Sequence, residues 1–390
     1  MSAGFQEVAF ITGSRDKPSA KYFIGSGKAD EINQYIVAHS VAVVIFNHDL
    51  TPSQERNLER LFKRHVLDRS GLILDIFAKR ARTFEGKLQV ERAQVEHQST
   101  RLVRGWTHLE RQKGGIGVRG GPGETQLEVD RRLLAKRLKT IDQRLEKVRS
   151  QRKQSRRSRE RAAVPLISLV GYTNAGKSSL FNRLTASSVY VADKLFATLD
   201  PTLRKLELTG FGHVILADTV GFIRKLPHSL IDAFHATLEE TVEADLLLHV
   251  VDAADDDRQA HIESVETVLN EIGATTIPQL QIYNKVDLIA NWQPRIDRDE
   301  KGKPWRVSVS AATGAGMELL AQAVMELLSN QVIECAVIVP SSEGKLRAAL
   351  YALSAVQSED YTAAGDWRLQ LRLSLREYER LRIFKLQLQG

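Results

Sequence analysis

The sequence predicts an α/β protein whose main domain is a mostly parallel sheet with helices on both faces. Three features indicate this architecture: short apolar runs alternate with amphipathic stretches, one apolar run leads through a glycine-rich turn into a helix, and a heptad pattern separates two such regions. Because 390 residues exceed one ordinary domain, four parts are expected. They are a small α/β domain over 1–85, a helical hairpin over 86–162, the main domain over 163–332 and a small α/β module over 333–390.

The amino-terminal part alternates strand and helix patterns. "EVAFITG" predicts a strand, "GKADEINQYIVAH" predicts a helix, and the continuous apolar run "VAVVIFN" predicts a strand buried on both faces. In "TPSQERNLERLFKR" we expect Thr51 as the N-cap of a helix, with Pro52 in its first turn and Glu55 nearby. "HVLDRSGLILDIFAKRA" completes the unit. The alternation predicts a parallel sheet.

Two heptad series follow. In the first, leucine or valine recurs every seven residues, at Leu88, Val95, Leu102 and Leu109. The second steps by seven, four, three, four and three through Leu127, Leu134, Leu138, Ile141, Leu145 and Val148. Heptads require a partner helix, and the intervening "RQKGGIGVRGGPGETQ" holds too many glycines to continue either one. The prediction is an antiparallel helical hairpin with a glycine-rich loop over 113–123 at its tip.

Positive charge is concentrated in the hairpin. The net charge is +7, and between Arg131 and Arg161 there are 14 Lys/Arg against three acidic residues. A local basic stripe is typical of a nucleic-acid surface, although a solvated helix face has the same composition. Cations on flexible backbone in the tip loop also suit contact with RNA phosphates, whereas a plain connector remains the alternative. The candidate RNA-binding residues are Arg111, Lys113, Gly114, Gly115, Arg119 and Gly120.

The main domain opens on a phosphate-binding motif. "PLISLVGYTNAGKSSLFNRLT" is a strand, a glycine-rich turn and a helix, and it fits G-x-x-x-x-G-K-[ST] from Gly171 to Ser178. Backbone N–H groups and the helix dipole face the phosphates in such a loop. Lys177 is expected on the β- and γ-phosphates, and Ser178 on Mg²⁺. The predicted nucleotide-binding residues here are Gly171, Tyr172, Thr173, Asn174, Ala175, Gly176, Lys177, Ser178 and Ser179.

A second motif follows in "VILADTVGF". Asp218 ends an apolar strand, where it is expected to hold Mg²⁺ through water, and the Gly221 N–H is placed to sense the γ-phosphate. Thr219 and Val220 complete this segment of the predicted site. The next residue is Phe222, where Ras-like GTPases carry a glutamine that positions the attacking water. Phenylalanine cannot bond that water, so intrinsic hydrolysis is expected to be slow unless another group supplies this function.

Two further segments predict guanine recognition. In "LQIYNKVDL", Asp287 can accept from the ring N–H and the exocyclic amine of guanine, and adenine offers neither in that arrangement. Asn284 is also expected to contact the base, and Lys285 is expected to lie along it. Val286 completes this segment of the predicted site. In "WRVSVSAATG" the backbone of Ser310, Ala311 and Ala312 is expected to contact the guanine O6. Taken with the phosphate motifs, this predicts an enzyme that converts GTP to GDP and phosphate.

A switch segment is predicted between the two phosphate motifs, in "KLFATLDPTLR". A threonine here should close over Mg²⁺ and the γ-phosphate, and loss of that phosphate should release the segment. Thr198 is the candidate, with Thr202 as the alternative. The predicted catalytic residues are Lys177, Thr198 and Gly221. The predicted contacts from the switch segment are Phe196, Ala197, Thr198, Leu199 and Asp200.

With "GYTNAGKSSLFNRLT", "LFATLDPTLR", "ADTVGFIRKLPH", "NKVD" and "GGIGVRGGPGETQLE" in view, the chain resembles the HflX-type ribosome-associated GTPases over nearly its whole length. The resemblance implies binding to the large ribosomal subunit, ribosome-stimulated hydrolysis, and a part in splitting or rescue of stalled ribosomes or in ribosome assembly. Asn174 resembles the potassium-binding position of translation-factor-class GTPases, so the implied cofactors are Mg²⁺ and K⁺.

Two other functions stay open. The first is a nucleotide-driven RNA remodeller that binds ATP in its amino-terminal part, although residues 1–160 hold no second G-x-x-x-x-G-K-[ST] motif. The second is a GTP switch that acts away from the ribosome. A monomer is the default expectation. A cytoplasmic location is expected because the chain has one cysteine, Cys335, no signal-peptide order at its start and no run of roughly 18 apolar residues.

Overall fold

The computed structural model of the protein describes residues 4–105, 126–161, 164–185, 202–209, 211–222, 238, 240–329, 332–352, 355–374 and 388–389. The described residues divide into two compact units after Val148. Two groups of predicted site residues lie outside the described residues. They are the tip-loop candidates Arg111, Lys113, Gly114, Gly115, Arg119 and Gly120, and the switch candidates Phe196, Ala197, Thr198, Leu199 and Asp200.

The first unit begins with a small parallel α/β arrangement. Strands β1 and β2 pair in parallel, with Val44 opposite Val66. The predicted parallel pairing is therefore confirmed. The elements are α1 (Ser26–Ala38), β1 (Val43–Ile45), α2 (Pro52–Phe62), β2 (His65–Leu67) and α3 (Arg69–Arg80).

Two strand predictions in this unit are wrong. The segment 7–13 forms no strand, and its side chains Val8 and Phe10 are exposed. An apolar run becomes a strand only where a sheet edge satisfies its backbone groups, and the described residues offer it no such pairing. Strand β1 is not buried on both faces, because its sheet has two strands and Ile45 is 42% exposed.

Side-chain caps fix where the helices of this unit begin. Thr51 is the N-cap of α2, as predicted, and its hydroxyl accepts from the Gln54 N–H. The Gln54 side chain accepts in return from the Thr51 N–H at 2.9 Å, so Gln54, rather than Glu55, completes this capping box. Asp68 is the N-cap of α3 and accepts from the Gly71 N–H at 2.8 Å.

The described residues of the two heptad series lie in helices α4 (Phe84–Gly105) and α5 (Gln126–Arg161), and Leu109 of the first series lies outside the described residues. Their seam is confirmed, because apolar residues of both series pack into one cluster. Ion pairs join the helices on either side of the seam: Arg92 binds Asp142 at 2.8 Å, and Arg137 binds Glu91. The buried members of the cluster are Leu88, Val95, Ile141 and Leu145, with Leu134 and Leu138 partly buried.

The second unit contains the predicted mostly parallel sheet. Its seven strands run in the order β4-β5-β3-β6-β7-β9-β8, and only the outer strands β4 and β8 pair antiparallel to their neighbours. The strands are β3 (Leu166–Gly171), β4 (Thr202–Leu208), β5 (Gly212–Asp218), β6 (Leu246–Asp252), β7 (Gln279–Asn284), β8 (Ile296–Arg298) and β9 (Pro304–Ser308).

Helices cover both faces of this sheet, as the sequence predicts. Leu248 and Val250 pack with α6 (Lys177–Thr185) and α8 (Met317–Ser329) in the main core. The adjacent Val251 points the other way and packs with Ile262 of α7 (Arg258–Glu271). Alternation along β6 therefore assigns α7 to the opposite face.

The chain continues into a small antiparallel sheet of order β11-β12-β10-β13. Alternate residues of β10 and β12, such as Val337 and Leu369, form its core with Leu350 of α9. Within this module β12 pairs antiparallel with β11. The elements are β10 (Val332–Val339), α9 (Gly344–Ala352), β11 (Val356–Tyr361), β12 (Trp367–Ser374) and β13 (Leu388–Gln389).

Candidate nucleotide-binding site

The phosphate loop joins β3 to α6 through two positions that only glycine fits. Gly171 has φ +148°, and a Cβ there would lie 2.3 Å from the Val250 carbonyl oxygen. Gly176 has φ +93°, and its Cβ would lie 2.2 Å from the Asn284 amide nitrogen. Both conformations are costly for other residues. The loop therefore packs closely against the Val250 backbone and the Asn284 side chain at the carboxyl end of the sheet, where open α/β sheets bind ligands.

Lys177 lies inside this loop. Its side chain is buried, and Nζ donates to the carbonyl oxygens of Gly171 at 2.9 Å and Tyr172 at 2.7 Å. Burial lowers the pKa of Lys177 to about 8, while the charge of Asp218 acts in the opposite direction. The ammonium group is thus held by two neutral acceptors, and an incoming phosphate would be a stronger partner for it.

Ser178 and Asp218 come together beside Lys177. The Ser178 Oγ donates to the Asp218 Oδ2 at 2.8 Å, and Asp218 is fully buried at the end of β5. The following Thr219 donates to the Leu169 carbonyl oxygen at 2.5 Å, which fixes the start of this segment on β3. A hydroxyl and a carboxylate at this separation are hard oxygen donors, the type that Mg²⁺ prefers. These side chains therefore fit a magnesium site.

Gly221 and Phe222 lie against the phosphate loop. The Thr173 N–H donates to the Phe222 carbonyl oxygen at 2.8 Å, and the Phe222 N–H donates to the Gly171 carbonyl oxygen at 3.1 Å. A Cβ on Gly221 would lie 3.1 Å from Lys177 Nζ. The Phe222 side chain is 1% exposed. The segment that was expected to sense the γ-phosphate therefore lies next to the lysine that was expected to bind it.

Asn284 joins three segments of the site. It is 2% exposed at the end of β7, and its Nδ2 donates to the Ala175 carbonyl oxygen at 3.0 Å. Its Oδ1 accepts from the Ala311 N–H at 2.9 Å. The carboxamide therefore connects the phosphate loop to the loop that follows β9. Its predicted contact with the base itself stays a prediction.

Two neighbours of Asn284 differ in exposure. Lys285, at φ +63°, extends its ammonium group to Asp252 Oδ2 at 2.7 Å. Asp287 is exposed, and its carboxylate makes no hydrogen bond or ion pair with any residue that the structure describes. That carboxylate is available to an outside donor, as guanine recognition requires. The intervening Val286 is buried.

The aromatic and histidine partners of the phosphate loop were not predicted from the sequence. The Tyr172 ring stacks on His261 of α7 with centroids 3.8 Å apart, and His261 Nδ1 lies 2.8 Å from Asp255. His249, on β6, is 1% exposed, and burial together with the charge of Lys177 lowers its pKa to about 4. A histidine within the apolar run "LLLHVVD" was the one available signal.

The structure thus brings the described site residues to one edge of the sheet. That edge is formed by the carboxyl ends of β3, β5, β7 and β9. A phosphate loop, an aspartate beside its serine and an asparagine-aspartate segment on one edge define a P-loop GTPase. The predicted residues found there are Gly171, Tyr172, Thr173, Asn174, Ala175, Gly176, Lys177, Ser178, Ser179, Asp218, Thr219, Val220, Gly221, Asn284, Lys285, Val286, Asp287, Ser310, Ala311 and Ala312.

Models of sequence families match four consecutive parts of the chain. They are described as GTP-binding GTPase N-terminal for residues 1–78, GTP-binding GTPase Middle Region for 80–159, 50S ribosome-binding GTPase for 166–285 and HflX C-terminal domain for 296–384.

Known proteins show the same likeness. GTPase HflX of Escherichia coli strain K12 is 58% identical over 380 residues, which is 97% of this chain and 89% of the relative. GTPase HflX of Magnetococcus marinus is 45% identical over 365 residues, covering 93% and 84%. A crystal structure of SsGBP in complex with GDP is 26% identical and covers 81% of this chain and 89% of that one, with a TM-score of 0.46. The chain belongs to the HflX family of GTPases, and it binds and hydrolyses GTP.

Among the helices that the structure describes, none has both the length and the apolar character needed to cross a membrane.

Proposed function

We propose that this GTPase associates with the large ribosomal subunit and that its nucleotide state controls binding and release. Its activity would serve ribosome splitting or rescue, translation under stress, or ribosome biogenesis. The observation that carries the proposal is the match of residues 166–285 to a family described as 50S ribosome-binding GTPases. A basic face on α5 supports it independently.

In the proposed site, the phosphates lie in the loop from Gly171 to Ser178, where Lys177 exchanges its two carbonyl partners for phosphate oxygens. The guanine base is read by Asp287, and the nearby Asn284 holds the loops that surround the base. The support is geometric, because the carbonyl partners lie 2.7 and 2.9 Å from Nζ and the Asp287 carboxylate is exposed. Uptake of a phosphate into this cradle replaces the neutral carbonyl acceptors of the Lys177 ammonium group with charged phosphate oxygens.

Two cations are proposed. Ser178 would ligate Mg²⁺ directly and Asp218 through water, with Thr198 joining in the GTP state and Thr202 as the alternative. Mg²⁺ neutralises charge that develops on the phosphates. Asn174, exposed at φ +65° and without a side-chain hydrogen bond to described residues, would hold K⁺. If so, turnover rises when Na⁺ is exchanged for K⁺, and the Asn174→Ala variant loses that response; equal rates in both salts exclude the K⁺ role.

Slow intrinsic hydrolysis follows from Phe222. Its side chain is buried and offers no polar group to the attacking water, while its peptide group is bonded to the phosphate loop. In the proposed reaction, Lys177 and the Gly221 N–H stabilise the charge that develops on the transferred phosphate, and Thr198 closes over the metal. The group that positions water would then be supplied or ordered when the protein is bound to its partner, which accounts for stimulation by the ribosome.

The basic face of α5 is the proposed RNA contact within the described residues. Arg137 is already committed to an ion pair with Glu91. Other basic residues of the same helix are exposed and make no ion pair with described residues, so their charge is available to phosphates. These residues are Arg131, Lys136, Lys139, Arg144, Lys147 and Arg149. The tip-loop residues Arg111, Lys113, Gly114, Gly115, Arg119 and Gly120 are proposed to extend this contact.

Cosedimentation with purified large subunits tests the proposal. The full chain should pellet with them more in a non-hydrolysable GTP analogue than in GDP, and the subunits should raise its GTP turnover. Replacing Lys136, Arg144 and Lys147 by glutamine should weaken binding and reduce the slope of log affinity against log salt by on the order of 2 to 3, while free GDP affinity is unchanged. Equal pelleting in both nucleotides without stimulation would contradict the proposal.

A charge-matched variant provides the control. Lys205, Lys301 and Lys303 are exposed lysines elsewhere in the chain. Their replacement by glutamine removes the same net charge and should leave the salt slope unchanged. If both triple variants lose binding equally, net charge alone is responsible and the α5 face is not a specific contact. Turnover of ATP without subunits would instead favour the RNA-remodelling alternative.

A further inference from the structure

Arg183 lies in the last turn of α6, next to the loop that follows β9. Its Nε donates to the Ala311 carbonyl oxygen at 3.1 Å, and its Nη2 donates to the Ala312 carbonyl oxygen. The same guanidinium group lies 3.6–3.7 Å from where a Cβ of Gly314 would be, and Gly314 has φ +92°. One charged side chain therefore holds two successive carbonyl groups of this loop.

Four of the five backbone N–H groups in residues 310–314 donate to partners that the structure describes. Ser310 donates to the Ala315 carbonyl, Ala311 to Asn284, and Thr313 to the Ser310 hydroxyl. Gly314 donates to the Ser310 carbonyl. Within 310–314, all of which the structure describes, the Ala312 N–H has no hydrogen-bond partner. It is the donor that this loop leaves available to a ligand.

The Ala312 N–H and the Ala311 carbonyl belong to one peptide group. A trans peptide is planar, so its N–H and C=O point in opposite directions. When Arg183 holds the Ala311 carbonyl, it also fixes the direction of the Ala312 N–H, which points away from α6. A charged donor on the carbonyl further polarises the peptide and makes its N–H a stronger donor.

We propose that Arg183 is a positioning residue for base specificity: it orients the Ala311–Ala312 peptide so that the Ala312 N–H donates to O6 of guanine. This inference rests on the proposed placement of the base beside Asn284 and Asp287. Arg183 touches neither base nor phosphate, and it acts through the peptide that it holds. Because its side chain is exposed, water competes for the two carbonyls and the effect is moderate.

The test is a double-mutant cycle between the side chain and the base. Calorimetry measures the affinity of the full chain for GDP and for the diphosphate of 2-aminopurine riboside, which lacks O6 and the N1 proton. Because the missing N1 proton affects wild type and variant alike, the effect of Arg183 is the change in the ratio of the two affinities. Arg183→Met should weaken GDP binding about five-fold, which is about 1 kcal/mol at 1.4 kcal/mol per factor of ten, and leave the analogue unaffected. Arg183→Lys, which keeps charge but not the planar fork, should fall between. Arg204→Met removes an exposed arginine on β4 whose side chain bonds the adjacent Leu203 carbonyl, and it should behave as wild type.

Steady-state kinetics gives a second readout that a general structural loss would not reproduce. With Arg183→Met, KM for GTP should rise about five-fold while kcat is unchanged, because the bond that breaks lies at the other end of the nucleotide. The inference is overturned if the two nucleotides weaken equally, if neither weakens, or if kcat alone falls. If the wild-type protein binds both nucleotides equally, the placement of the base fails as well. If the ratio of GDP affinity to analogue affinity is the same in Arg183→Met as in the wild type, the role of Arg183 alone is overturned.

Discussion

Deleting the Asn284 carboxamide removes a side chain that ties the phosphate loop to the loop after β9. In Asn284→Ala the hydrogen bonds to the Ala175 carbonyl at 3.0 Å and from the Ala311 N–H at 2.9 Å are both lost. The site is 2% exposed, so water cannot readily replace them. Leaving two buried backbone groups without partners costs about 2 to 4 kcal/mol in total.

This cost is shared between folding and binding, so both must be measured. Urea unfolding of the nucleotide-free protein reports the loss of stability, and calorimetric titration with GDP reports the loss of affinity. The two losses should sum to about 2 to 4 kcal/mol. If the empty loops keep their arrangement, most of it appears in stability. If the empty loops relax without nucleotide, most of the free-energy loss appears in GDP affinity. The affinity then falls by up to several hundred-fold, at about 1.4 kcal/mol per factor of ten.

Two further variants test whether the lost hydrogen bonds of Asn284 cause the effect. Asn284→Asp keeps the acceptor for Ala311 but sets a carboxylate oxygen against the Ala175 carbonyl, so it should cost at least as much as alanine. Asn270→Ala makes the same deletion at an exposed position on α7 and should change stability by less than about 0.5 kcal/mol. A summed loss for Asn284→Ala no larger than that of Asn270→Ala would show that the carboxamide does not hold the two loops together.

Two further predictions concern pH. The pKa of His249 is about 4 in the folded protein and 6.5 in the unfolded chain, so its stabilisation is complete above pH 6.5 and is lost as the pH falls towards 4, by at most about 3 kcal/mol. Urea unfolding from pH 7 to 4 measures how the free energy of unfolding changes with pH. That dependence should be weaker in His249→Phe and unchanged in His213→Gln, an exposed control. The same pH dependence in His249→Phe as in the wild type would contradict the prediction. The pKa of Lys177 is about 8 without nucleotide, and phosphate should raise it. GDP binding near pH 9 should therefore take up a proton, seen as a buffer-dependent heat, and Lys177→Arg should abolish that uptake. A heat independent of the buffer would contradict it.

The sequence predicted those parts of the site that depend on neighbouring residues. Gly171 and Gly176 belong to a local motif, and their φ values and close contacts explain why glycine is needed there. Asn284 and Asp287 were found in the same way. The predicted strand at 7–13 failed because strand formation depends on a distant pairing edge, which the pattern of one segment does not contain.

Contacts between residues that lie far apart in the chain could not be predicted from the sequence. Arg183 bonds the carbonyl of Ala311, 128 residues away, and nothing in the pattern around α6 points to that loop. The stacking of Tyr172 on His261 likewise joins two elements that are unrelated in sequence. Periodicity assigns a residue to a face of an element, whereas the partner on that face follows from packing.

In the proposed site the exposed carboxylate of Asp287 reads the guanine base while the phosphates lie on the loop around Lys177. The most direct measurement is the calorimetric affinity of the wild type and of Asp287→Asn for GDP and xanthosine diphosphate. We expect the wild type to prefer GDP and the variant to prefer xanthosine diphosphate, since the amide can donate to the carbonyl that replaces the exocyclic amine. A variant that keeps the wild-type preference would show that the base lies elsewhere.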